Sequence, residues 1–496
     1  MIQVLKFGGT SIANAKCIFK LREIVQGIEY SKKIVVISAI AGITDMLLAA
    51  SNLASNKDIR YRELNNEIEA KHLKIIRDLL PVQSQSYVLS KVKFEMNSLE
   101  LLLKGAFLIG ELPPKLLNKI LNYGALFSSH IIYEFFISEG LDICFKDSQD
   151  LIKTDTSFGK PCFNIESTYK NCRSYFTNIS QSISLVTGFT AISKDIGGSA
   201  LRKDGADYTA AIIAAAVDAD ILEIWSDVNG VHTADPKSIK QSKVIPYLTY
   251  DEAFDFSLVG AKVLCPDVIS LLKESGNSIR IKNILNPSHH GTLISKDFEG
   301  FRECLFGVGH IEDLSILSVQ KVKGMKTSDI FMRISNLLSQ LEIEILSIMQ
   351  DFREHSLSLV ISKGTCANVE VIDQINKVFS YEKEMGKIGP LKIENNLAIV
   401  ALIGSNRGNE SDLYVKMVRR LRRRGINIKT ILNRFSDNHI AILINEDDLY
   451  KSMNVLHGEF VEKKVNFLSY KKLKDGVGRF FVNKTIFSSS KYNPQN

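Results

Sequence analysis

The sequence has no run of about 18 apolar residues free of charge, so it offers no candidate for a membrane-spanning helix. It has no CxxC pair and no Cys/His spacing suited to a metal. Its 7 cysteines (Cys17, Cys144, Cys162, Cys172, Cys265, Cys304 and Cys366) are scattered and odd in number, a pattern of reduced thiols in a cytoplasmic protein. The opening residues Met1 to Phe7 lack the basic segment and apolar stretch of a secretion signal. No Ser-His-Asp arrangement and no other histidine-centred constellation is visible. Nor is there a second glycine pattern of the dinucleotide-binding kind. Nucleic-acid recognition has little to stand on either, because the densest basic run, Lys416 to Arg424, has no interleaved aromatics. Leu413, Met417 and Leu421 recur there at helical spacing, so the run reads as one amphipathic helix with a basic, solvated face.

What remains is an ordinary soluble composition. Of 496 residues, 45% are apolar and 24% charged, and the formal net charge is +7. That length suggests about two to four domains. The modest positive balance fits anionic small molecules such as nucleotides and carboxylates.

Short β-branched runs at Val4–Phe7, Ile34–Ser38, Ser184–Val186, Ile221–Trp225 and Ile279–Ile281 alternate with helical patterns. Such runs predict a largely parallel sheet covered on both faces, an α/β fold. Residues 56–122 read as mostly helical, with Pro81, Pro113 and Pro114 as punctuation, and Asn286–Gly291 reads as a turn cluster. The second half repeats itself. Leu314–Ser362 aligns without a gap on Leu397–Asn445, each copy reading strand, turn, helix, strand, turn, strand.

One segment carries most of the chemistry. Lys6-Phe-Gly-Gly-Thr-Ser11 leaves a strand and enters a helix. Glycines there let backbone N–H groups approach phosphates, and a lysine at the strand end can neutralise a transferred phosphoryl group. A tight strand-to-helix turn with a solvated lysine is the alternative. Asp227, at another strand end, has a similar alternative as a turn or helix cap.

The hexapeptide resembles the opening motif of the aspartokinases. Val36–Asp45, Ile224–Pro236, Gly260–Pro266, Ile281–Pro287 and Gly291–Ser295 resemble later segments of that family in the family's order. The resemblance implies an amino-acid-kinase three-layer fold with a mainly parallel central sheet over residues 1–298. It implies two α+β (βαββαβ) ACT domains at 310–390 and 391–465, then a basic tail at 466–496. It further implies Lys6 and Asp207 as catalytic. Lys6, Gly8, Gly9, Ser226, Asp227, His232, Lys237 and Lys262 would hold ATP. Thr10, Ser11, Ser38, Arg202 and Lys203 would face the acceptor. Cys265 reads as a small buried residue rather than a nucleophile.

The implied reaction is ATP- and Mg²⁺-dependent phosphorylation of the L-aspartate side-chain carboxylate. That is the first step towards lysine, threonine and methionine, with amino-acid feedback through the ACT pair in a homodimer or tetramer. The acceptor is already a nucleophile at neutral pH, so no general base is required. The turn Lys323–Asp329 is the implied effector loop, with an ordinary strand–helix turn as its alternative. Two positions depart from the family. Ala125 stands where a glutamate would meet the substrate ammonium. In the segment Ser199–Asp207, read as a loop, Lys203 replaces an arginine, and Arg202 and Asp204 replace glycines. A lysine does not reproduce the bidentate fork of arginine on a carboxylate. These departures keep two other readings open: a kinase for a different carboxylate, and a non-catalytic amino-acid-sensing homologue.

Overall fold

A computed structural model describes residues 2–157, 160–188, 201–260, 264–296, 307–321, 326–341, 343–351, 356–362, 368–404, 410–432 and 439–462. The first half contains strands β1 (Ile2–Phe7), β2 (Lys32–Ile37), β3 (Ile143–Lys146), β4 (Thr154–Ser157), β5 (Lys160–Phe163), β6 (Ile183–Thr187), β7 (Ile221–Ser226), β8 (Tyr247–Leu248), β9 (Ser278–Asn283) and β10 (Thr292–Ile294). Its helices are α1 (Ala15–Gly27), α2 (Ile43–Ser55), α3 (Tyr61–Leu79), α4 (Val82–Ile109), α5 (Pro114–Ser138), α6 (Ser148–Leu151), α7 (Ile165–Asn178), α8 (Leu201–Ala216), α9 (Tyr250–Leu258) and α10 (Pro266–Ser275). Apart from the β4–β5 hairpin, the strands form one eight-stranded sheet in the order β3-β6-β2-β1-β7-β9-β10-β8. All its ladders are parallel except β9–β10. The expected mainly parallel sheet is therefore present.

Period-two alternation in the strands decides which layer each side chain enters. Leu5, Phe7, Val35 and Ile37 pack with α1 to α5 on one face. Val4, Ile34, Val36, Leu222 and Ile224 pack with α7 to α10 on the other. Lys6 follows the alternation onto the second face, towards α8. The expected helical stretch 56–122 is α3, α4 and the start of α5, and the prolines stand at helix starts, where the missing N–H is harmless: Pro81 caps α4, and Pro113 precedes α5. The segment ending at Asp207 differs from its expectation. From Leu201 onward the backbone is α8 rather than loop. Leu201, Arg202, Lys203 and Ala206 are good helix formers, and Gly205 is the one glycine left among them.

The second half adds β11 (Gly307–Lys321), α11 (Thr327–Gln340), β12 (Ile345–Asp351), β13 (Ser356–Ser362), α12 (Asn368–Val378), α13 (Ser380–Glu384), β14 (Ile388–Ile403), α14 (Glu410–Arg423), β15 (Ile428–Ile431), β16 (His439–Asn445) and α15 (Leu449–Leu456). The sequence repeat becomes structure: α11 and α14 have 14 residues each, β13 and β16 have 7 each, and all fall in the repeat's register. The six strands form one antiparallel sheet, β12-β13-β11-β14-β16-β15.

The expected boundary at 390/391 lies inside β14, because the two long strands are shared. The first half of β14, from Ile388 to Glu394, pairs with β11 from Ile316 to Lys321 and completes the first four-stranded module. The second half, Leu397–Ile403, opens the second module. That module is completed by β11 at Gly307–Ile311. Each module thus has the strand order of a βαββαβ unit, but the second takes its last strand from the chain preceding the first. The tail 466–496 lies outside the described residues.

Candidate active site

The carboxyl ends of β1, β2, β6 and β7 are stitched together beyond the strands. Gly8 N–H donates to the Trp225 carbonyl (3.3 Å), and so does the Ser11 hydroxyl (2.8 Å). Ser38 N–H donates to Phe7 O (3.3 Å), Ala41 N–H to Gly9 O (3.2 Å) and Gly188 N–H to Ile37 O (2.7 Å). A Cβ on Gly9 would lie 2.8 Å from Ala39 O and 3.0 Å from Ala41 N, so glycine is what allows the β1 and β2 turns to touch. A Cβ on Gly8 would lie 3.4 Å from Lys6 Nζ. The missing side chain leaves space next to the ammonium.

Lys6 Nζ lies 2.8 Å from Asp207 Oδ2 and 2.7 Å from Oδ1. Both side chains are about nine-tenths buried, with 11% and 8% exposure. A buried ammonium needs such a partner, since desolvating an unpaired charge is expensive. Asp207 arrives because α8 runs close under the β6 end. A Cβ on Gly188 would meet Ala206 Cβ at 2.6 Å. The motif lysine and an aspartate 201 positions along the chain thus form one unit.

The other expected site residues divide into groups. Gly8, Gly9, Ser11 and Ser38 line the stitched edge, and Thr10 beside them is exposed. The buried Ser11 commits its hydrogen to Trp225. Ser38 O accepts from Ser128 Oγ of α5 (2.6 Å), and a Cβ on Gly124 would lie 2.9 Å from Ala39 Cβ, so α5 packs under this turn beside the buried Ala125. Ser226 ends β7, its hydroxyl accepting from Val228 N–H (3.3 Å), and Asp227 after it is exposed. His232 is half-buried on the following loop, with Nδ1 3.4 Å from Ser242 Oγ. Burial pushes its pKa down, Asp235 pulls it up, and His289 pushes it down. Lys237 is exposed, its N–H donating to Asp235 Oδ1 (2.9 Å). Lys262 lies outside the described residues. The backbones of Arg202 and Lys203 open α8, but their side chains are also outside them.

Two residues at this edge escaped the sequence reading. Trp225 supplies the carbonyl that ties down the glycine turn, and its ring stacks on Phe7 at 6.0 Å. Lys282 holds Nζ 4.9 Å from the Trp225 ring centroid, and burial lowers its pKa. The signal in the sequence is the alternation of Arg280 and Lys282 with Ile279 and Ile281, which puts both cations on one side of β9.

A partly desolvated cation, glycine-lined space and open strand ends suit a polyanionic phosphate chain. The comparisons agree with that geometry. Residues 1–283 match the model of the amino acid kinase family. The bifunctional aspartokinase/homoserine dehydrogenase of Buchnera aphidicola subsp. Acyrthosiphon pisum (strain APS) is 28% identical over 493 residues, covering 98% of this chain and 60% of the relative. Aspartokinase 1, chloroplastic, of Arabidopsis thaliana is 26% identical over 467 residues, covering 92% and 80%. The chain spans 51–60% of the length of the first bifunctional relatives it matches. Among solved structures, E. coli aspartokinase III in complex with aspartate and ADP shares the fold with a TM-score of 0.74 at 23% identity, covering 93% of this chain and 100% of that one. The same enzyme with lysine and aspartate gives 0.72 at 22% identity, covering 92% and 99%. With more than half its length under the family model and the site at the sheet edge that the Lys6 motif implies, the chain belongs to the amino acid kinase family.

Proposed function

We propose that this chain transfers the γ-phosphoryl group of ATP to the side-chain carboxylate of L-aspartate, forming 4-phospho-L-aspartate and ADP. The observation that carries the reading is the Lys6–Asp207 pair beside the Gly8–Gly9 turn at the carboxyl edge of the sheet. It is supported by relatives named aspartokinases and by a fold neighbour solved with aspartate and ADP. A carboxylate oxygen of the acceptor attacks the γ-phosphorus. The new O–P bond forms as the bond to the bridging oxygen of ADP breaks. Lys6 balances charge on the transferring group, Asp207 fixes the ammonium, and the glycines admit the phosphates.

Mg²⁺ would screen the phosphates and help align them. Among the described residues no group of three or more His, Cys, Asp or Glu side chains is gathered. Among the described residues the carboxylate at the motif lysine is Asp207, a donor set that fits an ion held chiefly by nucleotide oxygens. The duplicated βαββαβ half is the candidate receptor for an amino-acid effector. A neighbour solved with lysine in a T-state supports this assignment. The reading implies a cytoplasmic enzyme of lysine, threonine and methionine formation, assembled as a homodimer or tetramer.

A second reading rests on Ala125. It is buried in α5 beneath the Ser38 turn and brings no charge to an amino-acid ammonium. An acceptor acid without a free α-amine would suit that surface.

The test is purified full chain with ATP, Mg²⁺ and L-aspartate, trapping acyl phosphate with hydroxylamine. Aspartyl hydroxamate is expected from the wild type and a loss of at least about 100-fold from Lys6→Ala. No hydroxamate at saturating aspartate, with ATP binding intact, overturns the aspartate reading. A panel of other carboxylic acids then separates a changed acceptor from a protein that only senses.

A further inference from the structure

Helix α4 is apolar on two sides. Val88, Val92, Leu99 and Leu103 are buried within the helical layer. On the far side Tyr87, Phe94, Leu101 and Leu108 are 63%, 73%, 68% and 67% exposed. They recur every seven residues, which aligns them as one column along a helix of 28 residues. Val82 and Ile109, at the two ends of the helix, are 81% and 66% exposed. Ser90 and Asn97 on the same exposed side are small or short enough for close approach of another helix. Lys104 follows Ser90 and Asn97 at the same spacing, and soluble monomers rarely leave so long an apolar column in water.

We propose that this column is a contact surface for a second copy of the same chain, with the two α4 helices antiparallel about a two-fold axis near Asn97. A column with a seven-residue period is matched by another of the same period, and a second copy supplies one. Antiparallel alignment sets Tyr87 level with the partner subunit's Leu108, and Phe94 level with the partner subunit's Leu101, so each aromatic ring meets a leucine. It also brings Lys93 to the flank of the partner subunit's Glu100, and the symmetry repeats that pair. A parallel alignment would instead set each lysine beside its own copy. Lys93 pairs with Glu69 within the chain yet stays 54% exposed, so it is free to lean across.

Area also favours a second copy. The four column side chains, about two-thirds exposed, amount to roughly 400–600 Å² per copy, and with the flanking Ser90, Lys93, Asn97 and Glu100 two copies would bury on the order of 1,000–1,400 Å², enough for a specific interface. The proposal does not depend on which acid is phosphorylated.

The experiment uses the full chain with one added cysteine, mild oxidation and non-reducing electrophoresis, with light scattering at about 10 μM. Asn97→Cys, next to the axis, is expected to give a covalent dimer above the wild-type background. Ser90→Cys is expected not to, because its antiparallel copy would lie roughly 22 Å away along the helix. Adding Leu101→Glu to Asn97→Cys should abolish the cross-link without lowering the melting temperature or kinase turnover. Lys93→Glu in the Asn97→Cys chain should cut the cross-linking rate about three- to tenfold, and Lys93→Glu with Glu100→Lys should restore it. Equal cross-linking at Ser90 overturns the antiparallel pairing. A monomer in light scattering overturns the proposal, as does a dimer that Asn97→Cys fails to cross-link, since assembly would then lie elsewhere.

Discussion

Lys6 and Asp207 hold each other beside the glycine turn, so the aspartate has a stabilising part that stands apart from its proposed chemistry. Replacing it by asparagine leaves a nine-tenths buried ammonium without its countercharge. Asp207→Asn is expected to cost about 3–5 kcal/mol of stability without nucleotide. Phosphate oxygens can then take over the carboxylate's part, so ATP should raise the melting temperature more in the variant than in the wild type. Equal shifts on ATP addition would detach Lys6 from the phosphate site. His72 is a second residue whose burial has a measurable consequence. It projects from α3 and is buried against α5, its ring edge-on to Phe127 at 5.1 Å, with Nδ1 2.7 Å from Ile68 O. Desolvation, its largest influence, pushes its pKa down to about 4, outweighing the carbonyl's pull. The unfolded chain therefore binds the proton more readily than the folded one. Stability from the neutral ring is complete above about pH 6.5 and falls as pH drops towards 4, by roughly 2–3 kcal/mol at pH 4.5. Urea titrations at pH 7 and pH 4.5 should show His72→Leu gaining on the wild type by that amount in the acid, and a constant gap would refute the assignment. Neither the Asp207 partnership nor the His72 enclosure was legible as contact in the sequence. Lys6 was, because motif and strand end lie within one hexapeptide, whereas the other two depend on which distant helices come together.

At the scale of elements the sequence was most readable where periodicity was strong. The central strands and the helices of residues 56–122 follow directly from apolar spacing and from prolines at helix starts. The repeat predicted two equivalent units, and α11 and α14 match in length. It could not tell which half of a long strand pairs with which neighbour, because alignment compares equivalent residues rather than bonded ones. That is why the expected boundary fell inside β14. The same exchange carries the start of β11 onto the kinase half. Val308 N–H donates to Thr233 O at 2.7 Å, Thr233 Oγ1 lies 3.0 Å from His457 Nε2, and a Cβ on Gly309 would lie 2.4 Å from Val259 O. The loop bearing His232 is therefore bonded directly to the duplicated half. Gly309→Ala should force β11 away from the end of α9, at a cost of about 1–3 kcal/mol. Its turnover without effector should persist while the response to added lysine or threonine weakens, as read by titrating each amino acid into the hydroxamate assay. An unchanged melting temperature and an unchanged effector response together would show that this contact carries neither stability nor coupling.

Across the whole molecule, the apolar residues do not respect the division between the amino acid kinase half and the duplicated half. Tyr250, Ala253, Phe256 and Val259 of the kinase half share one buried cluster with Ile399, Ala401, Leu432 and Leu443 of the second module. Beside them, His439 of β16 lies 3.8 Å from Asp255 of α9, both side chains almost wholly buried. Domains joined by a flexible linker and a small polar interface unfold separately, but halves that share a core lose it together. Scanning calorimetry of the full chain should therefore show the kinase half and the second module melting in one transition. The first module, whose own cluster is built from Leu317, Ile330, Ile334 and Leu359, is the part that can soften earlier. A chain cut after residue 298 would bare the α9 face, and at about 25 cal/mol per Å² even a few hundred Å² of exposed apolar surface forfeits several kcal/mol. The truncated protein should melt lower than the full chain and aggregate more readily. If the fragment instead melts at the full chain's temperature and stays monodisperse, the shared cluster contributes little. Any coupling between a proposed effector and the Lys6 site would then have to run through the Thr233–His457 contact and its neighbours.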